Sequence, residues 1–303
     1  MKFVEVLVLL LLVFVLAFGS YVLWDNLPTG EAEKGEFNTK FYPSISNGVQ
    51  FYPNMRYRQS TITYYVEGAC NEKKARDVER AFEILDEKTI LSFEKTDLEN
   101  AEIRILCSEV APSTEEQGHF VAGEGGPSQV INTSIYSVIL VGKVSLYRSE
   151  KCEEPKVALH EILHALGFDH NDNPNSIMYP TTSCDQTLDQ YIIDRINELY
   201  KLEGLPDLAI GNINATKEGR YLSFEIGIFN LGLVEAKNST LVLNVGEEEI
   251  KRFVLGDLEI GIKKILTVQN VRVPRSFDSV KFVLEGPERE LNMDNNIVEV
   301  SVS

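Results

Sequence analysis

The sequence predicts two folded domains, an α+β domain followed by an all-β sandwich, behind an N-terminal apolar helix. An unbroken apolar stretch opens the chain, and helical and strand periodicities then alternate through roughly the first 200 residues. After residue 206, short segments with a period of two predominate. The chain has 303 residues, enough for two domains that each bury a core.

The charge balance argues against nucleic acid as a partner. There are 29 Lys and Arg residues against 46 Asp and Glu residues, which gives a formal net charge of -17. A surface this acidic repels phosphate backbones.

The N-terminal segment predicts the compartment. Residues 6–24 are predominantly apolar, and as a helix they would reach roughly 28 Å, close to the hydrocarbon thickness of a bilayer. Lys2 before the segment and Asp25 after it favour a single-pass anchor with the rest of the chain outside the cell membrane. The alternative is a cleaved signal peptide and a secreted protein, because Ala17 and Gly19 are spaced like a cleavage site.

The next 180 residues divide into a tether and the first domain. Residues 25–47 are polar and lack sustained periodicity, so they predict a tether, and residues 48–203 form the α+β domain. Its predicted elements, in chain order, are a strand over Thr61–Val66, a helix after the N-cap Asn71, a strand near 101–105, a Gly-rich loop at 123–127, a β-rich stretch at 138–146, and helices near 155–166 and 188–199.

The second domain is predicted over residues 207–303. Leu222, Phe224 and Ile226 occupy every second position, and similar short segments recur up to Val300 between Gly and Asn turns. Alternation of this kind over about a hundred residues is typical of a β-sandwich.

The four cysteines agree with export. Cys70, Cys107, Cys152 and Cys184 allow two disulfides in three connectivities. We favour Cys70–Cys107 and Cys152–Cys184, because each pair would then brace one half of the first domain; four reduced, buried thiols are the alternative. No CxxC pair occurs, which argues against a thiolate metal site.

Three of the four histidines lie within eleven residues, in the segment HEILHALGFDH at 160–170. On a helix, His160, Glu161 and His164 lie at about 0°, 100° and 40°, so two imidazoles and one carboxylate share a face. This spacing suits one zinc ion bound by both imidazoles, with the Glu161 carboxylate outside the ligand shell and free to act on a water.

The remainder of the segment supplies a third ligand. Gly167 can adopt a left-handed conformation at the helix end, which would turn the chain so that His170 returns to the metal. Three protein ligands leave one coordination position open, as in a catalytic zinc site. The alternatives are an amphipathic helix with outward polar residues, or a zinc site without catalysis.

The motif HExxHxxGxxH, followed by SIMYP at 176–180, resembles the metzincin metallopeptidases and, among them, the matrixins. The resemblance implies a twisted mixed sheet with helices and a zinc endopeptidase activity. By this resemblance His160, His164 and His170 bind zinc, Glu161 is the general base, Met178 lies beneath the metal in the Met-turn, and Pro180 shapes the specificity pocket.

The chain also departs from the matrixin pattern. Matrixins hold a second, structural zinc with further histidines, and only His119 remains here, so we expect one zinc ion. We expect His119 itself to be a loop residue. Residues 169–173 offer oxygen ligands for Ca²⁺, although clusters of Asn and Asp more commonly serve turns.

The second domain resembles the CARDB type of immunoglobulin-like module. The resemblance rests on PDL at 206–208, NLG at 230–232 and the closing NMDNN at 292–296. It implies a spacer or adhesion role without chemistry.

Two functions follow as hypotheses. The first is an exported, membrane-anchored zinc endopeptidase that hydrolyses protein or peptide substrates, with Glu161 as general base. The alternative is a surface adhesion protein in which the β-sandwich binds the partner and the zinc site is vestigial.

Overall fold

The computed structural model describes residues 49–112, 121–149 and 151–302. The predicted N-terminal anchor, the tether and His119 lie outside the described residues. Among the helices that are described, none is long and apolar enough to cross a membrane.

The N-terminal part of the described chain is built on one twisted mixed sheet. Its strands are β1 (Met55–Tyr57), β2 (Thr61–Val66), β3 (Ser92–Lys95), β4 (Ile103–Cys107), β5 (Gly123–Asn132) and β6 (Ser137–Leu146). The order β1-β6-β4-β2-β3 is entirely parallel, and β5 pairs antiparallel along the length of β6. Among the described strands β5 pairs with β6 alone, so its other side is a sheet edge.

Three helices pack with this sheet: α1 (Glu72–Lys88), α2 (Lys156–Ala165) and α3 (Gln190–Tyr200). The predicted N-cap of α1 is confirmed, because the side-chain oxygen of Asn71 accepts a hydrogen bond from the Lys74 amide at 2.9 Å. The helix buries its apolar face, including Val78, Phe82 and Leu85, in the core of this domain.

The two disulfides are the pair that the sequence analysis favours. Cys70 bonds to Cys107 and joins the start of α1 to the end of β4, while Cys152 bonds to Cys184 and joins the segments that precede α2 and α3. The described part of the chain contains no free cysteine.

One predicted element is wrong. The Gly-rich segment at 123–127 was expected to be a loop, and it is instead the first half of strand β5. Glycine and proline lower strand propensity, but here the glycines allow the strand to approach helix α2 closely. Tertiary packing therefore overrides the local preference.

The C-terminal part is a β-sandwich, as predicted. Its strands are β7 (Leu208–Glu218), β8 (Tyr221–Asn230), β9 (Ala236–Val245), β10 (Glu248–Leu258), β11 (Lys263–Arg272), β12 (Ser279–Glu285) and β13 (Ile297–Ser301). One sheet has the order β10-β9-β12-β13 and the other β11-β8-β7. Alternate residues of β8, among them Leu222, Phe224 and Ile226, point into a core separate from that of the first domain.

Candidate metal centre

Helix α2 carries the first two predicted zinc ligands and ends where the third becomes reachable. His160 and His164 are one turn apart and both are buried. Gly167 follows the helix with φ of +95°, and the amide of Phe168 bonds to the carbonyl of Leu163 at 3.0 Å. This helix-ending turn redirects the chain and brings His170 back to the face of α2.

The three imidazoles converge on one point. The Nε2 atoms of His160 and His164 are 3.0 Å apart, those of His160 and His170 are 3.2 Å apart, and those of His164 and His170 are 3.1 Å apart. Two nitrogens bound tetrahedrally to one zinc ion lie about 3.3 Å apart. The spacing of the three nitrogens therefore fits zinc.

The hydrogen bonds of the Nδ1 atoms determine what the Nε2 atoms can do. Nδ1 of His160 lies 2.6 Å from the carbonyl oxygen of Ile177, and Nδ1 of His164 lies 2.7 Å from that of Phe168. Each Nδ1 must donate to its carbonyl, so each neutral ring directs an Nε2 lone pair at the common point. Lone pairs that face one another need a cation, and the donor set thus fits a metal.

Burial keeps the imidazoles in the form that binds metal. It lowers the pKa of His160 to about 4, and the neighbouring His164 adds to the shift. The pKa of His164 is lowered as well, again mainly through burial. Both rings are therefore neutral at neutral pH, as zinc ligation requires.

The segment that contains Met178 also carries the carbonyl that contacts His160. The Met178 side chain is buried; its amide donates to Ser176 Oγ at 3.0 Å, and its carbonyl accepts from the Asn171 amide at 2.9 Å. Ile177 donates its amide to the carbonyl of Thr187 at 2.8 Å. The turn is thereby held in the position from which the Ile177 carbonyl orients His160. Pro180 follows at the surface.

The predicted general base is buried between α2 and β5. Glu161 is 6% exposed. A β-carbon added at Gly123 would lie 2.7 Å from Glu161 Cγ, and one added at Gly125 would lie 2.1 Å from the Glu161 carbonyl oxygen. Both glycines therefore leave room that no other residue would leave. In the metal-free protein, burial raises the pKa of Glu161 to about 8, and the Glu124 carboxylate adds to the rise.

The oxygens of residues 169–173 are engaged in turns. The side chains of Asp169, Asn171 and Asn173 accept hydrogen bonds from the amides of His170, Asn173 and Asn175, at 2.7, 3.0 and 3.2 Å. These bonds agree with the turn interpretation of the segment. They lend no support to the alternative, Ca²⁺ binding there.

Several groups that shape this centre could not be identified from the amino-acid sequence alone. The carbonyls of Ile177 and Phe168 orient two ligands, and Gly123 and Gly125 admit Glu161. Only the glycines left a signal in the sequence, since a G-x-G spacing places both on the same face of a strand. Among the described residues, the three histidines are the one group of three or more His, Cys, Asp or Glu side chains whose ligand atoms all lie within 4.8 Å of one another.

Comparison with known proteins agrees with the geometry. The matrixin family model matches residues 56–201. Macrophage metalloelastase of Oryctolagus cuniculus is 31% identical over 140 residues, which cover 41% of this chain and 28% of that protein. Interstitial collagenase of the same species is 27% identical over 182 residues, which cover 56% of this chain and 38% of that protein.

These matches cover only part of each protein. The chain spans between about a quarter and two fifths of the length of these relatives. A solved CARDB domain from Pyrococcus furiosus, in complex with di-metal ions, shares 21% identity with a TM-score of 0.27, over 33% of this chain and 90% of that domain. The family match and the three-histidine motif together identify residues 56–201 as a matrixin-like domain.

Proposed function

We propose that this protein is a zinc-dependent endopeptidase. The observation that carries the proposal is the convergence of the His160, His164 and His170 Nε2 atoms within 3.2 Å of one another, at a helix that also carries the buried Glu161. The matrixin-like domain supports it, since matrixins are zinc metalloendopeptidases. The three histidines would hold a single catalytic zinc ion.

The proposed mechanism divides the work between metal and protein. When bound, zinc supplies Lewis acidity that polarises a peptide carbonyl and acidifies a water. Glu161 takes the proton of the attacking water on a carboxylate oxygen and later delivers it to the leaving amine. The carbonyls of Ile177 and Phe168 hold the His160 and His164 rings in the orientation that this chemistry needs.

We further propose that the substrate is an extended polypeptide that lies along strand β5. The strand borders the metal centre through its contact with Glu161, and its outer edge is unpaired among the described strands. Backbone groups of a substrate can extend the sheet at such an edge. Pro180, which follows the Met178 turn, would then form part of the wall of the specificity pocket.

Replacement of the general base tests the proposed function. Glu161→Ala should retain fold and bound zinc, while the rate of casein cleavage falls by about 10²-fold or more, because proton transfer is lost. Glu99→Ala, which changes an exposed carboxylate far along the chain, is the matched control and should cleave normally. Turnover by zinc-loaded Glu161→Ala at the wild-type rate would refute this role.

The alternative, an adhesion protein with a vestigial metal site, makes a different prediction. A chelator would then leave adhesion unchanged, and unfolded casein would stay intact. Chelator-sensitive cleavage that returns when zinc is added back supports the peptidase.

We propose that the protein is exported and held at the cell membrane by residues 6–24, with the catalytic domain outside. The two disulfides support an oxidising compartment. Fractionation should find the full-length chain in the membrane, accessible to an added protease on intact cells. A shortened N-terminus on a protein recovered from the medium would favour signal cleavage and secretion instead.

A further inference from the structure

A group of four polar side chains lies at the beginning and near the end of the β-sandwich, away from the three-histidine centre. Asp207 precedes β7, and Glu290, Asn295 and Asn296 lie between β12 and β13. Asp207 is 0% exposed and Asn296 is 3% exposed. We refer to these four residues as the Asp207 cluster.

Three hydrogen bonds, together with the backbone links 207–208 and 295–296, close the Asp207 cluster into a ring. Asn295 Nδ2 donates to Asp207 Oδ1 at 3.0 Å, and Asn296 Nδ2 donates to Glu290 Oε1 at 3.1 Å. The ring is completed by the Leu208 amide, which donates to Glu290 Oε2 at 2.7 Å. Because each member contacts the next, the four side chains share one small region.

Three oxygens of the ring accept no hydrogen bond from the described residues. Asp207 Oδ2, Asn295 Oδ1 and Asn296 Oδ1 are buried and have no hydrogen-bond partner among the described residues. Buried polar atoms are nearly always paired, since an unpaired one loses its hydration without compensation. Three such atoms within one ring indicate a missing partner that is positive or a hydrogen-bond donor.

The neighbouring amide of Asn230 shows that this region can satisfy buried polar groups. Its Oδ1 accepts from the amides of Asp207 and Gly232 at 3.2 and 3.1 Å. Its Nδ2 donates to the carbonyls of Val234 and Leu258 at 2.8 and 2.9 Å. The three unpaired oxygens are therefore a particular property of the Asp207 cluster.

The charge of the ring points to a cation. Burial raises the pKa of both Asp207 and Glu290, and the nearby Asp207 carboxylate adds a smaller rise to the pKa of Glu290. All the hydrogen-bond donors to these two carboxylates among the described residues are neutral amides. Two carboxylates in this setting lack a positive partner.

We propose that the Asp207 cluster binds a divalent cation of the Ca²⁺ class. Two carboxylates and two amide carbonyls form an all-oxygen ligand set, which suits a hard cation and disfavours zinc. Asp207 Oδ2, Asn295 Oδ1, Asn296 Oδ1 and one Glu290 oxygen would be the protein ligands, with water completing the shell. The cation would fix the first strand of the sandwich to its closing segment.

Calcium titration of the zinc-loaded full-length protein, in metal-depleted buffer without chelator, tests the proposal. We expect one equivalent of Ca²⁺ to bind by calorimetry, with Kd of about 10⁻⁵ to 10⁻³ M, and Tm to rise as Ca²⁺ is added. Asp207→Asn and Glu290→Gln should each weaken binding at least about tenfold, because each removes a ligand charge. Asp278→Asn, at an exposed carboxylate of the same domain, is the matched control and should bind normally.

Two results would overturn the proposal. Absence of binding and of a Tm shift at about 10 mM Ca²⁺ would mean that the oxygens are paired with buried water. Unchanged affinity in folded Asp207→Asn and Glu290→Gln would place the ion elsewhere. If neither variant folds, anomalous diffraction from Tb³⁺-soaked wild-type crystals decides: an ion on Asp207 Oδ2 supports the site, and its absence there contradicts it. Casein cleavage depends on the histidine centre and reports on neither outcome.

Discussion

At the scale of single residues, the protonation of the metal centre depends on burial. His160 and Glu161 are neighbours on α2, yet burial shifts their pKa values in opposite directions, to about 4 and about 8. Both shifts favour the neutral form, because a low-dielectric surrounding penalises either charge. Neutral imidazoles suit zinc. A neutral Glu161 does not suit a base, so bound zinc must help to ionise it.

The raised pKa of Glu161 predicts that the stability of the zinc-free protein depends on pH. The Glu161 pKa is about 8 in the folded state against an ordinary value of 4.5. Between these values the folded state holds a proton that the unfolded state has lost, so Glu161 destabilises the fold progressively as the pH rises. Glu161→Gln should therefore gain stability over wild type between about pH 5 and pH 8, on the order of a few kcal/mol.

Urea unfolding of both zinc-free proteins at several pH values measures this gain. The depressed pKa of His160 acts oppositely, stabilising the fold as the pH rises from about 4 to 6.5. The His160 contribution is the same in wild type and in Glu161→Gln, so it cancels in the stability difference between the two proteins. A stability difference that does not change with pH would contradict the buried, neutral Glu161.

At the scale of elements, the distance between β5 and α2 positions Glu161, the proposed general base. The G-x-G pair Gly123 and Gly125 faces the helix, and a β-carbon at Gly125 would collide with the Glu161 backbone. The next residue, Gly126, points away from the helix and has open space around its Cα. Two adjacent glycines thus have different roles in one strand.

We expect Gly125→Ala to damage both stability and catalysis. The added methyl group would lie 2.1 Å from the Glu161 carbonyl oxygen, so strand and helix must separate. The free energy of unfolding should fall by about 1–3 kcal/mol, and kcat/KM for casein should fall at least about tenfold. Gly126→Ala is the matched control and should change the free energy of unfolding by less than about 0.5 kcal/mol. Equal behaviour of the two variants would show that close packing is unimportant here.

At the scale of the whole molecule, two hydrophobic cores lie on either side of residues 201–207, and both disulfides belong to the first. The disulfides close loops of similar length, with sequence separations of 37 and 32 residues. The Cys152–Cys184 bond ties together the segments before α2 and α3, which frame the metal centre. The Cys70–Cys107 bond ties the start of α1 to the sheet. The sandwich of the second core has no disulfide.

Removal of one disulfide should destabilise the first domain. Loop-closure entropy predicts a loss of about 3–4 kcal/mol in the free energy of unfolding for the double variant Cys152→Ser, Cys184→Ser. Urea unfolding followed by circular dichroism measures the loss, with fully reduced wild type as a second comparison. An unchanged midpoint in both samples would contradict a stabilising role for the bond.

Local patterns explain why much of the fold could be predicted. The three proposed zinc ligands lie within eleven residues, where helix geometry and one glycine determine their positions. Alternation of apolar residues likewise predicted β4 and the strands of the sandwich, and β-rich composition predicted β2. Strand β5 could not be predicted in this way, because its glycines are favourable only against helix α2, which follows much later in the chain.

The sequence by itself determined the three-histidine cluster, the two-domain order and the half-buried strands, because these depend on neighbours within a few turns or alternate positions. Only the tertiary structure decided which carbonyls orient the histidines, how Glu161 is buried beneath β5, and that Asp207 meets Asn295 near Glu290. Apart from the Phe168 carbonyl, which lies four residues from His164, these contacts join segments that are distant in the chain. Their distances follow from how whole elements pack, and no local periodicity encodes them.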